Sequence, residues 1–279
     1  MSETGHQLIR AAVDELRDVG VNDATGDARR LLAFAMGCDA AALSARLVDA
    51  VDPEHRTAFF DAVEQRVTRK PVSQIIGSRQ FWDIELCITQ DVLDPRPETE
   101  ILVETALRQP FDRVLDLGVG SGCILISLLK SNASATGLGV DNSAEALEIA
   151  FKNAQNNDVV DRTELLESEW FATVEGSFDL IVANPPYIAM AEMEQLSPEV
   201  RMWEPIWALT PGPSGLESYE QIAAGIYEHL TPGGRLLLET GPTQAGDVKN
   251  LFIAAGLSFD YVVADLDGRD RVVQLHRAP

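Results

Sequence analysis

Leu8, Ile9, Ala12, Val13 and Leu16 recur at the i, i+3, i+4 spacing of one helix face, and Arg10, Asp14 and Glu15 fill positions between them. The chain therefore opens on an amphipathic helix. A second stripe starts near Thr25 and runs through Ala28, Leu31, Leu32 and Ala35 to a stop at Gly37, and a third helix follows Pro53. Residues 1–72 read as a small helical domain. Between Pro71 and Asp94 the pattern changes to short strand-like pieces, notably FWDIELCI at 81–88, so residues 73–96 are expected to form a strand-rich linker or hairpin. The proline-rich DPRPETE at 94–100 reads as a hinge.

From residue 97 to residue 279 apolar runs alternate with helical patterns. RVLDL (113–117), GLGV (137–140), TELLE (163–167), FDLIVA (178–183) and RLLLET (235–240) read as strands, followed by two more at 258–264 and 271–276. Helices are expected from Ser121, from Ser143 and over 218–230. Such alternation predicts an α/β fold with a mostly parallel sheet covered by helices on both faces.

Composition narrows the classes. A chain of 279 residues with 46% hydrophobic content can form one large domain or one large and one small. No run approaches the roughly 18 apolar residues of a membrane helix, and the polar MSETGHQLIR start lacks a signal-peptide core, so a cytoplasmic location is expected. Cys38, Cys87 and Cys123 form no CxxC pair and the four histidines show no ligand spacing, so neither a disulfide framework nor a metal is expected. The net charge of −22 is uneven: residues 1–70 hold 12 acidic and 9 basic residues, the remainder 32 and 13. That balance argues against gripping nucleic-acid phosphates. It suits a cationic cofactor and a basic protein surface, or a high-salt habitat, and both remain open.

Two motifs carry chemistry. VLDLGVGSGCI at 114–124 runs a buried strand into Gly118, Val119, Gly120, Ser121 and Gly122 and then into a helix. Glycine there permits a sharp turn and a close approach to a ligand. Asp141 follows Gly118 by 23 positions at the end of the next strand, where doubly wound folds place a carboxylate on ribose hydroxyls. The GxGxG spacing departs from the GxGxxG of dinucleotide enzymes and favours a nucleoside without a pyrophosphate. Together these residues resemble motifs I and II of class I methyltransferases, whose cofactor is S-adenosylmethionine and whose fold is a Rossmann-like, mostly parallel seven-stranded sheet. Trp170 stands where that class positions a group beside the adenine; stacking there would contribute about 1 to 3 kcal/mol.

The second motif is NPPY, Asn184, Pro185, Pro186 and Tyr187, directly after the strand FDLIVA. Consecutive prolines offer no N–H and hold the chain extended, leaving carbonyls free to accept. If the Asn184 oxygen and the Pro185 carbonyl each accept one N–H of an amide or amino group, its nitrogen is oriented and its developing charge stabilised. Tyr187 could lie against the flat face of that group.

These residues, with PVSQIIGSRQFW (71–82), DPRPETEILVE (94–104), EPIWAL (204–209), SGLESYEQI (214–222), LLLETG and DLDGRDRVV (265–273), resemble the protein-(glutamine-N5) methyltransferases of the HemK/PrmC family over nearly the whole chain. The resemblance implies a substrate-recognition role for residues 1–72 and a catalytic domain over 97–279. It also implies methylation of a glutamine side-chain nitrogen in the GGQ loop of peptide chain release factors, in translation termination. Gly118, Val119, Gly120, Ser121, Gly122, Asp141, Trp170 and Asn184 would surround S-adenosylmethionine. Asn184, Pro185, Pro186 and Tyr187 would form the substrate cradle. Three departures stand out: Val119 where the family often has threonine, Asp94 before PRP, and ETG near 239 in place of EHG. A glutamine methyltransferase of a large-subunit ribosomal protein, and an adenine-N6 or ribosomal-RNA methyltransferase, use the same NPPY chemistry and are the alternatives.

Overall fold

The computed structural model describes residues 3–279, so the first two residues of the expected 1–72 domain lie outside it. The chain divides into two compact units: the chain up to Gly77 together with Ser197–Trp203, and Ser78–Leu196 with Glu204–Pro279.

The helical unit begins with α1 (Gly5–Asp18), entered through a capping box in which Thr4 and Gln7 exchange side-chain and backbone hydrogen bonds. α2 (Ala24–Ala35) is capped by Asp23, α3 spans Ala40–Arg46, and α4 (Pro53–Val67) starts on proline. α5 (Val72–Ile76) ends at Gly77, whose φ of 82° closes the helix in the left-handed region. The expected stripes meet in one core: Leu8, Leu16, Leu31, Leu32, Phe59 and Val63 are all buried. α3 and α5 are too short to show a stripe, and the sequence reading lacks them.

A buried ion network closes this unit. Arg66 donates from Nε to Asp27 at 2.8 Å and from Nη2 to Glu199 at 2.7 Å, while Arg69 Nη2 reaches the second Glu199 oxygen at 2.7 Å. Burial alone would raise the Glu199 carboxyl, but the Arg69 and Arg66 hydrogen bonds hold it down at about 2. Gln74 Nε2 donates to the Trp203 carbonyl, and Trp203 Nε1 to the Thr68 carbonyl. These contacts draw residues 197–203, distant in sequence, into the helical unit.

The α/β unit starts with a hairpin, β1 (Ser78–Phe81) and β2 (Ile84–Cys87). Its turn carries Trp82 at φ 53°, so FWDIELCI is a turn and a strand rather than one continuous run. The hinge expected at 94–100 is corrected: Pro97–Thr99 form a 3-10 turn leading into α6 (Glu100–Leu107), whose Leu102, Val103 and Ala106 are buried. Ion pairs anchor that segment within its own unit. Arg79 donates to the buried Asp94 at 2.9 Å, and Arg96 Nη2 reaches both oxygens of Glu204 at 2.7 and 2.6 Å.

Seven strands follow: β3 (Arg113–Leu117), then α7 (Cys123–Ser131), β4 (Thr136–Asp141), α8 (Ala144–Asn156), β5 (Thr163–Glu167) and β6 (Phe178–Ala183). α9 (Pro198–Trp203) belongs to the helical unit, and α10 (Glu217–His229), β7 (Leu230–Glu239), α11 (Ala245–Ala254), β8 (Ser258–Ala264) and β9 (Asp270–His276) complete the chain. The sheet order is β5-β4-β3-β6-β7-β9-β8, parallel from β5 to β7, with β9 antiparallel to both of its neighbours. Alternate residues feed opposite faces. Val114, Leu180 and Val182 join the core under α6, α7 and α8, whereas Leu115, Leu117, Ile181 and Ala183 pack with α10 and α11. The chain winds outward from β3 to β5 and returns at β6, so the strand order reverses between β3 and β6. Crevices at the carboxyl ends of strands beside such a reversal are where open α/β sheets bind ligands.

Candidate active site

Leu117 pairs with Val140 on one side and Ala183 on the other, so the glycine loop, Asp141 and NPPY leave three adjacent strands at one sheet edge. The backbone of Gly118 and Val119 donates to the Val140 carbonyl at 2.9 Å each. Gly118 and Gly120 sit at φ 75° and 51°, a region where a side chain is strained. Both line a cavity together with Val119, Ser121, Asp141, Trp170, Asn184 and Pro186. Gly122 does not line it: a Cβ there would stand 2.7 Å from Ile126 Cδ1, so its bareness serves the packing of α7.

Val119 is buried, and a Cβ on Gly139 would fall 2.7 Å from Val119 Cγ2. The side chain at this departure therefore packs on β4. The Ser121 carbonyl accepts from Asn153 Nδ2 at 2.8 Å; Asn153 also donates to the Cys87 carbonyl and accepts from the Cys87 N–H. This fully buried α8 side chain ties the loop to the hairpin, a role with no local signal in sequence.

Asp141 Oδ2 accepts from Gly120 N at 2.9 Å and Oδ1 from Ser143 N at 3.0 Å. A carboxylate has about four lone-pair sites, so two remain for a ligand. Burial pushes the Asp141 carboxyl upward, against the pull of those backbone donors. Beneath the loop, Asp116 accepts from Leu125 N through Oδ2, while its Oδ1 is buried without a partner. Burial, helped by the Asp141 charge, raises Asp116 to about 8. Trp170 holds φ 50°, fixed by Ser168 Oγ donating to its carbonyl and by its own Nε1 donating to Gln221 at 2.5 Å.

On the opposite side, Asn184 Nδ2 donates to Thr99 Oγ1 at 3.3 Å. Among the described residues no backbone N–H donates to the Pro185 carbonyl. Pro185 and Tyr187, unlike Asn184 and Pro186, do not line the cavity. Tyr187 is drawn into the core beside Glu239 and Gly241, and its carbonyl accepts from Gln244 Nε2 at 2.9 Å. Burial and the Glu239 charge push its hydroxyl up to about 12. Glu239 itself, 1% exposed at the end of β7, is raised to about 7 by burial despite the Arg271 charge, and its Oε2 has no partner. At the ETG departure, Thr240 is fully buried; its N–H donates to the Arg271 carbonyl at 2.8 Å and its carbonyl accepts from Arg271 Nη1 at 3.4 Å. Thr99, Glu239 and Arg96 are absent from the sequence-derived site; PRPETE holds two of them and reads locally as a proline-rich connection.

Among the described residues the lining charges are Asp91, Asp141 and Glu169 against the one cation Arg96, which already faces Glu204. That set suits a cationic nucleoside better than a pyrophosphate. Among the described residues no three His, Cys, Asp or Glu side chains are grouped to hold a metal ion, and no helix is long and apolar enough to cross a membrane.

Residues 7–77 match the PrmC N-terminal domain family and residues 89–200 the Methyltransferase small domain family. The chain is 51% identical over 265 residues to a release factor glutamine methyltransferase from Cereibacter sphaeroides, with 95% of each chain covered. It is 42% identical over 268 residues to one from Caulobacter vibrioides, covering 94% of this chain and 93% of that one. A methyltransferase structure from Pyrococcus furiosus, 18% identical, matches with a TM-score of 0.54 over 71% of this chain and 91% of its own, a likeness of fold. At such identity over nearly full length, the chain belongs to the release factor glutamine methyltransferase family.

Proposed function

We propose that this chain is an S-adenosylmethionine-dependent methyltransferase acting on the side-chain amide nitrogen (N5) of the GGQ-loop glutamine in peptide chain release factors, in the cytoplasm. The observation that carries the reading is that Asn184 of NPPY and the glycine loop with Asp141 line one cavity. S-adenosylmethionine supplies an electrophilic methyl group when bound. Its fit rests on the left-handed Gly118 and Gly120, on the free lone pairs of Asp141, and on the Trp170 indole. Asp141 would hold the ribose hydroxyls and Trp170 the adenine, with Val119, Ser121 and Gly122 keeping the loop in shape.

An amide nitrogen is a poor nucleophile because its lone pair is delocalised, so orientation is what the protein can add. Asn184 commits its Nδ2 to Thr99 and keeps Oδ1 for a substrate N–H; the Pro185 carbonyl, off the cavity lining but accepting from no backbone N–H, would take the second once the substrate docks beside it. Both acceptors stabilise positive charge building on the nitrogen, and no strong base is required to orient it. Pro186 stiffens the wall and Tyr187 backs it. The helical unit, including residues 1–72, recognises the release factor. The acidity and the named relatives favour a protein substrate over an adenine or ribosomal RNA.

The test is labelled methyl transfer to a purified release factor and to two variants in which the target glutamine is glutamate or asparagine, followed by mapping of the modified residue. Glutamate has no N–H to give, and sites built around such donors reject analogues lacking them by about 10⁴-fold. Asparagine is one methylene short, and misplacement of about 1 Å can cost roughly 10²-fold. Labelling of the glutamate variant at the glutamine rate would overturn the cradle, and comparable labelling of the asparagine variant would mean that the pocket reads an exposed amide without measuring its depth.

A further inference from the structure

We propose that Trp207 is a substrate-specificity residue whose indole packs against the backbone of the glycines next to the target glutamine of the release-factor loop. In EPIWAL (204–209), Trp207 lines the cavity yet is 51% exposed, and Ile206 beside it is 58% exposed. Their neighbours turn inward: Glu204, Pro205 and Leu209 are buried. Ile206–Ala208 form a 3-10 turn, and the Ile206 carbonyl accepts from the N–H groups of Leu209 and Thr210 at 3.1 Å each. The ring is thus held outward on a short turn buried at both ends. A large apolar ring at a cavity rim favours whatever entering group takes it out of water.

Two things enter this cavity, the cofactor and the glutamine, and the backbone decides between them. The Trp207 segment hangs on the two stretches that carry the substrate acceptor and its support. At one end Glu204 takes Arg96 Nη2 at 2.7 and 2.6 Å, in the same PRPETE stretch as Thr99, the partner of Asn184. At the other, Ile188 N donates to the Leu209 carbonyl and Met190 N to the Gly212 carbonyl, both at 3.0 Å. Gln244 Nε2 joins the Tyr187 and Gly215 carbonyls at 2.9 and 3.2 Å. Among the described residues no hydrogen bond ties 204–212 to the glycine loop or to Asp141. The cofactor side has its own tryptophan: a Cβ on Gly118 would stand 3.9 Å from Trp170 Cζ3, and Trp170 is fixed to α10 through Gln221. Trp207 belongs to the NPPY side, where the glutamine enters.

A glutamine whose amide is held at Asn184 has a short side chain, so its own main chain comes down onto the rim. Residues bearing a Cβ would hold that chain off a flat ring. Glycine lets peptide planes lie against the indole at van der Waals distance. Tryptophan is among the residues whose truncation costs an interface most.

The inference rests on the release-factor reading, and the experiment separates the two. Steady-state kcat and KM for a purified release factor are measured for the wild type, Trp207→Ala and Trp207→Phe, with S-adenosylmethionine affinity by calorimetry as the check on folding. Trp207→Ala is expected to raise KM for the factor about tenfold to a hundredfold with cofactor affinity unchanged, and Trp207→Phe to restore most of that loss. The same enzymes are then given a factor in which the glycine before the target glutamine is alanine. There Trp207→Ala should cost at least about threefold less than with the unchanged loop, because the added Cβ has already lifted the chain from the ring. An unchanged KM in Trp207→Ala would overturn the inference and leave the function standing, as would equal costs of Trp207→Ala with the two factors. Weakened cofactor binding in Trp207→Ala, or a Trp207→Phe as impaired as Trp207→Ala, would overturn it as well. No transfer to the factor by the wild type would overturn the reading of function itself, and the inference with it.

Discussion

In the helical unit Arg66 divides its guanidinium between Asp27 and Glu199, Arg69 takes the other Glu199 oxygen, and the buried charges answer one another. In the α/β unit Asp94, Asp116, Glu239 and Arg271 each keep a buried polar atom with no protein partner. Among the described residues every charged side chain with such an atom belongs to the α/β unit; in the helical unit the corresponding atoms lie on the neutral Ser73 and Gln74. A buried, fully paired network specifies a fold, because removing one member strands the others. Buried polar atoms left without a partner cost stability, and such violations of local consistency are characteristic of functional regions. The two units thus use the same residue types for different ends.

The largest effect expected on this contrast is on stability. Glu199→Gln removes the anion from between Arg66 and Arg69. Partial exposure keeps the loss on the order of 2 to 3 kcal/mol, under the ~3 to 5 of a fully buried pair. Because the folded Glu199 pKa of about 2 lies below its ordinary 4.5, this stabilisation is present above pH 4.5 and lost as pH falls toward 2. The gap between wild type and variant in denaturant titrations should therefore close across that window. Equal stabilities at pH 7 would end the contrast.

Asp141→Ala should act on ligand binding instead, lowering S-adenosylmethionine affinity by roughly tenfold to a hundredfold through lost charge-assisted hydrogen bonds. Calorimetric affinity equal to wild type would show that Asp141 serves only the Gly120 and Ser143 N–H groups.

Asp116→Asn probes a slope rather than a level. Burial raises Asp116 from 3.8 to about 8, so its contribution to stability is complete below pH 3.8 and is lost as pH rises through 8. The wild type should lose up to about 1.4 kcal/mol per pH unit within that window relative to the variant. Parallel stability–pH curves would mean that Asp116 is ionised at neutrality and does not belong with the open groups.

The stripes of α1 and α2, the apolar strand runs and the Gly118–Gly122 turn were legible because each is a local pattern, set by the 3.6- and 2-residue periods or by backbone sterics. α11 carried a usable signal, Ala245, Val248 and Phe252 at helical spacing, that the sequence reading passed over. The hinge reading of 94–100 failed for another reason. Proline density reports a local preference, whereas Arg96 is held by Glu204, 108 positions away. Asn153 and Thr99 escaped likewise, since a buried polar side chain has no periodicity and its partner lies on another element.

By itself, the sequence determined the alternation of elements and the placing of the glycine turn and NPPY directly after strands, because short-range backbone constraints write these into adjacent residues. Only the tertiary structure decided that 197–203 joins the helical unit and that Gly122 packs a helix instead of lining the cavity. It alone also decided that Asn184 points its NH2 at Thr99. Those outcomes depend on which distant groups meet in a low-dielectric interior, where an unmet hydrogen bond costs about 1 to 3 kcal/mol, and no local pattern records the meeting.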